Sequence, residues 1–153
     1  MTETERLVAI EAIRELKAKY WRGVDSGDGA LVRSILAEDC VLDCSGCCTD
    51  PASGVDHMPQ MNIIMRGRDS WQTSNLDNPR LITVHQGHQC EIEVTSTAEA
   101  SGIWAFTDRF FMPPDSPFTR LTGYGYYHDT YAKVGDAWLL KTMRFTRLWV
   151  EVE

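Results

Sequence analysis

The second half of the chain restricts its fold more than any other feature. Four stretches rich in β-branched and aromatic residues follow one another there: LITVHQGHQCEIEV (81–94), ASGIWAFTDRFF (100–111), TRLTGYGYYHDTYAKV (119–134) and AWLLKTMRFTRLWVEV (137–152). Only short turn-forming segments such as MPPDSP and GD divide them. Such residues suit a pleated, half-buried surface, and short connections suit antiparallel neighbours. The expectation is a meander whose last three members are long strands.

The first half has a different period. Between Glu5 and Val24 the apolar residues Ile10, Ile13, Leu16, Tyr20 and Val24 recur at steps of three and four, which places them on one stripe of a helix. DSGDG (25–29) supplies the stop, since Gly accepts the left-handed cap conformation and Asp or Ser can bond free backbone groups. ALVRSILA reads as a second, shorter helix with Leu31, Ile35 and Leu36 facing inward, and CVLDC (40–44) as a short strand. From Ser45 to Arg66 the Gly, Pro, Asp and Ser content predicts a long irregular excursion, and long loops in compact domains often cover sites. Arg68 to Asn75 reads as a brief helix. Helices first and strands afterwards define an α+β fold, with the N-terminal helices on the concave face of a curved sheet. No repeat or boundary interrupts the chain, so residues 1–153 are expected to form one domain with one core and one pocket.

Charge narrows the partners. With 15 basic and 22 acidic residues the net charge is -7, and no Lys/Arg cluster reverses it locally. That balance repels phosphate backbones and anionic lipid, so neither nucleic acid nor a membrane is expected as a partner. No apolar run reaches the length needed to cross a bilayer, and the N-terminus lacks the pattern of a secretory signal, which predicts a cytoplasmic protein. Five cysteines in that setting are expected to be reduced thiols.

Several residues could carry chemistry. Tyr20 places a hydroxyl on the apolar stripe of the first helix, where it needs a partner. Asp25 follows about 140° further round that helix and borders the buried face. In VHQGHQ, strand alternation sends His85 and His88 to opposite faces unless Gly87 introduces a bulge. His128 faces away from Tyr127 by the same rule. Cys40, Cys44, Cys47 and Cys48, with His57 nearby, are zinc-ligand types, but CxxxCxxCC lacks paired CxxC elements and no metal is expected. Neither a Gly-rich phosphate loop ahead of a helix nor a GxSxG elbow is present, so no nucleotide cofactor or acyl-transfer chemistry is expected.

IRELKAKYWRGVDSGD, TVHQGHQCEIEV, ASGIWAFTDRFF and GYGYYHDTYAKVGDAWLLKTMRFTRL, in this order and spacing, resemble the SnoaL-like branch of the nuclear transport factor 2-like superfamily. The resemblance spans nearly the whole chain and implies a cone-shaped fold enclosing a pocket. In the dehydratases of that branch, including those acting on scytalone and bile acids, a helix Tyr, a following Asp and a strand His surround the substrate. Tyr20, Asp25 and His85 fall on those positions. The same matching implies substrate contacts from Trp104, Phe106, Asp108, Phe110, Tyr127 and Arg147. Cys44 and Phe110 stand where the dehydratases carry a Tyr and a second His, so those polar contacts are absent here. The implied activity is a cofactor-free lyase or isomerase in which His85 takes a proton next to a carbonyl of a largely apolar steroid-, polyketide- or aromatic-type substrate. The alternative is a non-catalytic small-molecule-binding or protein-interaction module. Relatives also imply a homo-oligomer, a dimer or trimer, formed through the outer sheet face.

Overall fold

A computed structural model describes residues 1–71 and 81–153. Helix α1 (Glu3–Ser26) opens with a capping box: the Thr2 hydroxyl accepts from the Glu5 amide at 3.2 Å, and the Glu5 carboxylate accepts from the Thr2 amide at 2.6 Å. It closes at Gly27, whose φ of 69° is the left-handed cap that DSGDG predicted. Ile13, Leu16, Tyr20 and Val24 are buried as expected; so, unexpectedly, is Lys17.

Helix α2 (Gly29–Ser34) is shorter than predicted, and Gly29 and Val32 are its buried residues. Ile35 caps it, and Leu36 already belongs to β1 (Leu36–Asp43), which starts four residues before the predicted CVLDC strand. The helical spacing of Leu31 and Ile35 is overridden because β1 lies parallel to β6, with Leu36 beside Leu140 and Leu42 beside Met143. Both of those pairs are buried. Within the long excursion, a 3-10 turn at Pro59–Met61 and the three-residue β2 (Ile64–Arg66) are regular. Arg68–Ser70 forms another 3-10 turn, which ends at the extended Trp71; residues 72–75 of the expected helix lie outside the described residues.

Strands β3 (Ile82–Val94), β4 (Glu99–Phe111), β5 (Arg120–Val134) and β6 (Ala137–Val152) form the predicted antiparallel meander. The six-stranded mixed sheet has the order β2-β1-β6-β5-β4-β3. Alternation gives each long strand a face toward α1. On β4 it carries Trp104, Phe106, Asp108 and Phe110, and on β5 Leu121, Tyr127, Asp129 and Tyr131, all buried. The α+β expectation, helices over one face of the sheet, is what the chain adopts. Among the described residues no helix is long and apolar enough to cross a membrane.

Two glycines make room on the inner face of the sheet. A Cβ at Gly87 would lie 2.0 Å from the Trp21 ring of α1, and one at Gly123 would lie 2.4 Å from both Asp108 and Arg147. The first glycine admits the helix onto β3; the second leaves room for an ion pair inside the sheet.

Candidate active site

A cavity of about 560 Å³ opens between the end of α1, the inner sheet face and the loops around residues 57–63 and 112–118. Tyr20, Cys44, His85, Asp108, Phe110 and Arg147 all line it, as does Tyr127. Trp71, Phe118, Met58, Met61 and Met65 supply much of the apolar wall.

His85 is held from behind. Its Nδ1 lies 2.6 Å from Asp25 Oδ1, and its own amide donates to Asp25 Oδ2 at 2.8 Å. The Thr83 hydroxyl donates to Oδ1 at 3.0 Å. An aspartate carboxylate only accepts, so in the neutral imidazole Nδ1 carries the proton and Nε2 the lone pair. The side chain of His85 is 8% exposed, and Phe110 packs beside it with ring centroids 6.1 Å apart. Asp25 does not line the cavity; it supports the residue that does.

Across from this pair, Arg147 donates to both oxygens of Asp108, at 2.9 and 2.7 Å, and its Nε donates to the Cys47 carbonyl at 2.6 Å. Asp108 Oδ2 stands 4.0 Å from His85 Nε2. A continuous line of polar side chains therefore runs Asp25, His85, Asp108, Arg147. The neighbouring Asp108 charge is the chief cause that keeps the Arg147 guanidinium above its ordinary range, against the larger opposing effect of its burial on the charged form. Tyr20 sits edge-on to Trp71 and Tyr127, at 5.8 and 6.2 Å, and burial pushes its phenol well above the usual range. The hydroxyl is thus a proton donor at any working pH.

Two expected contacts are corrected. Trp104 and Phe106 do lie on the inner face, but neither lines the cavity. Trp104 donates from Nε1 to the Tyr131 hydroxyl at 2.8 Å and packs on Trp21, while Phe106 stacks 4.2 Å from Tyr127 with the Arg147 guanidinium 4.9 Å from its ring. Tyr127 and its neighbours close the cavity floor above them. His88 and His128 point to the outer face, bonded to Thr107 and Thr146 at 3.0 and 2.8 Å. The register of β3 on β4 does shift after Gly87, yet of the two β3 histidines it is His85 that reaches the cavity, which His57 also lines from the loop.

A buried ion pair escaped sequence reading. Lys17 Nζ lies 2.7 Å from Asp129 Oδ2, both side chains fully buried, and the Tyr131 hydroxyl donates to the same oxygen at 2.8 Å. The ammonium also sits 3.7 Å from the Tyr127 ring centroid. One signal was available: Asp129 shares the strand face of Tyr127, and Lys17 lies one turn before Tyr20. All five cysteines are free thiols, and among the described residues no three His, Cys, Asp or Glu side chains converge as metal ligands would.

A helix-covered mixed sheet encloses a cavity with a part-buried Asp–His pair at its wall. Residues 5–144 match the SnoaL-like domain, and the chain belongs to that family. It is 27% identical over 150 residues to a probable cyclase, FGR4, of Gibberella zeae, covering 92% of each chain. Its fold is that of a putative scytalone dehydratase from Novosphingobium aromaticivorans (TM-score 0.78, 19% identity, 99% of this chain and 92% of that one). It is equally that of a hexachlorocyclohexane dehydrochlorinase from Novosphingobium barchaimii (TM-score 0.75, 16% identity, 99% and 94%).

Proposed function

We propose that the protein is a cofactor-free lyase or isomerase in which His85 removes a proton next to a carbonyl. The observation that carries this reading is the Asp25–His85 pair at 2.6 Å, which leaves Nε2 as a free base at the wall of an apolar cavity. Imidazole suits the task because its ordinary pKa lies near neutrality. Asp25 fixes the tautomer and stabilises the imidazolium that forms; Asp108, 4.0 Å from Nε2, adds to that stabilisation. Tyr20, protonated and facing the cavity, donates to the oxygen that gains charge as an enolate develops, or to a departing hydroxyl. The relatives named as cyclase, dehydratase and dehydrochlorinase agree with chemistry that needs only a placed base and a polarised leaving group or carbonyl.

The walls favour a flat, largely apolar substrate of the steroid, polyketide or aromatic class, since Trp71, Phe110 and Phe118 offer ring faces and Met58, Met61 and Met65 adapt to shape. Homo-oligomerisation through the outer sheet face is part of the same proposal. Ile103, Tyr124 and Trp149 are 38%, 37% and 48% exposed there, an apolar patch that a second copy would cover.

The test is kinetic. On a substrate found by screening hydroxy- and halo-carbonyl compounds of this class, His85→Ala should lose more than about a hundredfold in kcat, the usual contribution of a general base. Asp25→Asn should lose about tenfold or more, because an amide can present the wrong group to Nδ1. Wild-type turnover by His85→Ala would overturn the assignment.

A further inference from the structure

Cys47 has no part in that chemistry, yet it lines the same cavity. Its Sγ lies 3.7 Å from the Sγ of Cys48, which is fully buried, and 3.7 Å from the Met61 carbonyl oxygen. The residue is pinned on both sides: its amide donates to the Cys44 carbonyl at 3.1 Å, and its carbonyl accepts from Arg147 Nε at 2.6 Å. Around it stand Met58, Leu81 and Phe110, an apolar surface on which a flat ligand would rest. The result is a paired thiol with a fixed backbone, an adjacent guanidinium and access to ligand space.

We propose that Cys47, supported by Cys48, is a nucleophilic site for α,β-unsaturated carbonyl compounds that enter the cavity. The Cys47 sulfur bonds to the β-carbon, the C=C π pair moves toward the carbonyl, and the α-carbon takes up a proton that balances the one the thiol released to solvent. Nothing is oxidised or reduced, and no further reactant is needed. The two sulfurs are not equivalent. Either sulfur can donate in the contact between them; with the Cys48 S–H as donor, the bond holds the Cys47 thiol below its ordinary range, with Arg147 helping against the opposing effect of burial. The same bond pushes Cys48 up. Cys44 lines the cavity too, but burial raises its thiol to about 12. Thiolate abundance therefore favours Cys47, a preference only partly offset by the greater intrinsic nucleophilicity of a more basic sulfur.

The probe is 4-phenylbut-3-en-2-one, an aromatic enone, incubated in equimolar amount with the full chain and followed by intact mass and peptide mapping. One adduct per chain should form on Cys47, with Cys44 modified at least about tenfold more slowly. The saturated 4-phenylbutan-2-one should protect Cys47 by competition. Cys48→Ala should slow the reaction several-fold while Cys47 remains the site. Labelling that settles on Cys90 or Cys44 with Cys47 free, or that the saturated analogue does not slow, would overturn the proposal. The wild-type map needs no variant, so a misfolded Cys48→Ala leaves the test intact. Adduct formation also requires no turnover, so it stands or falls separately from the lyase reading.

Discussion

Lys17 and Asp129 show how one residue can be tied to the cavity from outside it. The pair is fully buried, and burial pulls the lysine down and pushes the aspartate up, each opposed by its partner's charge. Removing one partner strands the other, so Lys17→Met should destabilise the fold by about 3–5 kcal/mol in urea unfolding. The double variant Lys17→Met/Asp129→Leu should recover most of that loss, because a buried pair replaced by apolar groups is often near neutral. Gly123→Ala makes a different point. Its Cβ would meet Asp108 and Arg147 at 2.4 Å, so a stability loss of about 1–3 kcal/mol should come with loss of turnover, and the fork between those two residues should be seen to open in a crystal structure. At this scale the helical period placed Tyr20 on the buried stripe and Asp25 at its border, whereas strand alternation left His85 and His88 undecided and the family resemblance singled out His85. Lys17 was not legible: a charged residue beside an apolar stripe reads as solvated until its partner, 112 residues away, is known.

The contact between α1 and β3 sets the Asp25–His85 distance, since each element contributes one member. Gly87 is a point of close approach, and Gly87→Ala would drive a methyl to 2.0 Å from the Trp21 ring. The helix must then lift from the strand. Unfolding should show a loss of about 1–3 kcal/mol, and activity should fall with it as Asp25 withdraws from His85. Elements dominated by their own sequence were readable: α1 from its apolar step and its Gly27 cap, β4, β5 and β6 from their length and composition. β1 was only half readable. Leu31 and Ile35 have helical spacing, and what turns the chain extended at Leu36 is pairing with Leu140, more than a hundred residues later. Trp104 and Phe106 taught the same lesson in the opposite direction. The family matching put them on the correct face, but the depth of the cavity floor depends on Tyr127 and Phe145 packing 4.7 Å apart.

At the scale of the molecule, the helices seal one face of the sheet and leave the other bearing Ile103, Tyr124 and Trp149. Sedimentation equilibrium should find a dimer or trimer, and Trp149→Glu should shift it toward monomer; a monomeric wild type would contradict that part of the account. The enclosed face carries the central claim, that His85 is a base directed at a carbon acid. Solvent deuterium incorporation tests it without knowledge of the leaving group. With a panel of aromatic and polycyclic ketones in D2O, the wild type should catalyse exchange at the carbon next to the carbonyl in at least one compound, and His85→Ala should reduce that rate more than about a hundredfold. Ligands that bind in the cavity with no exchange above background, or exchange undiminished in His85→Ala, would contradict the account.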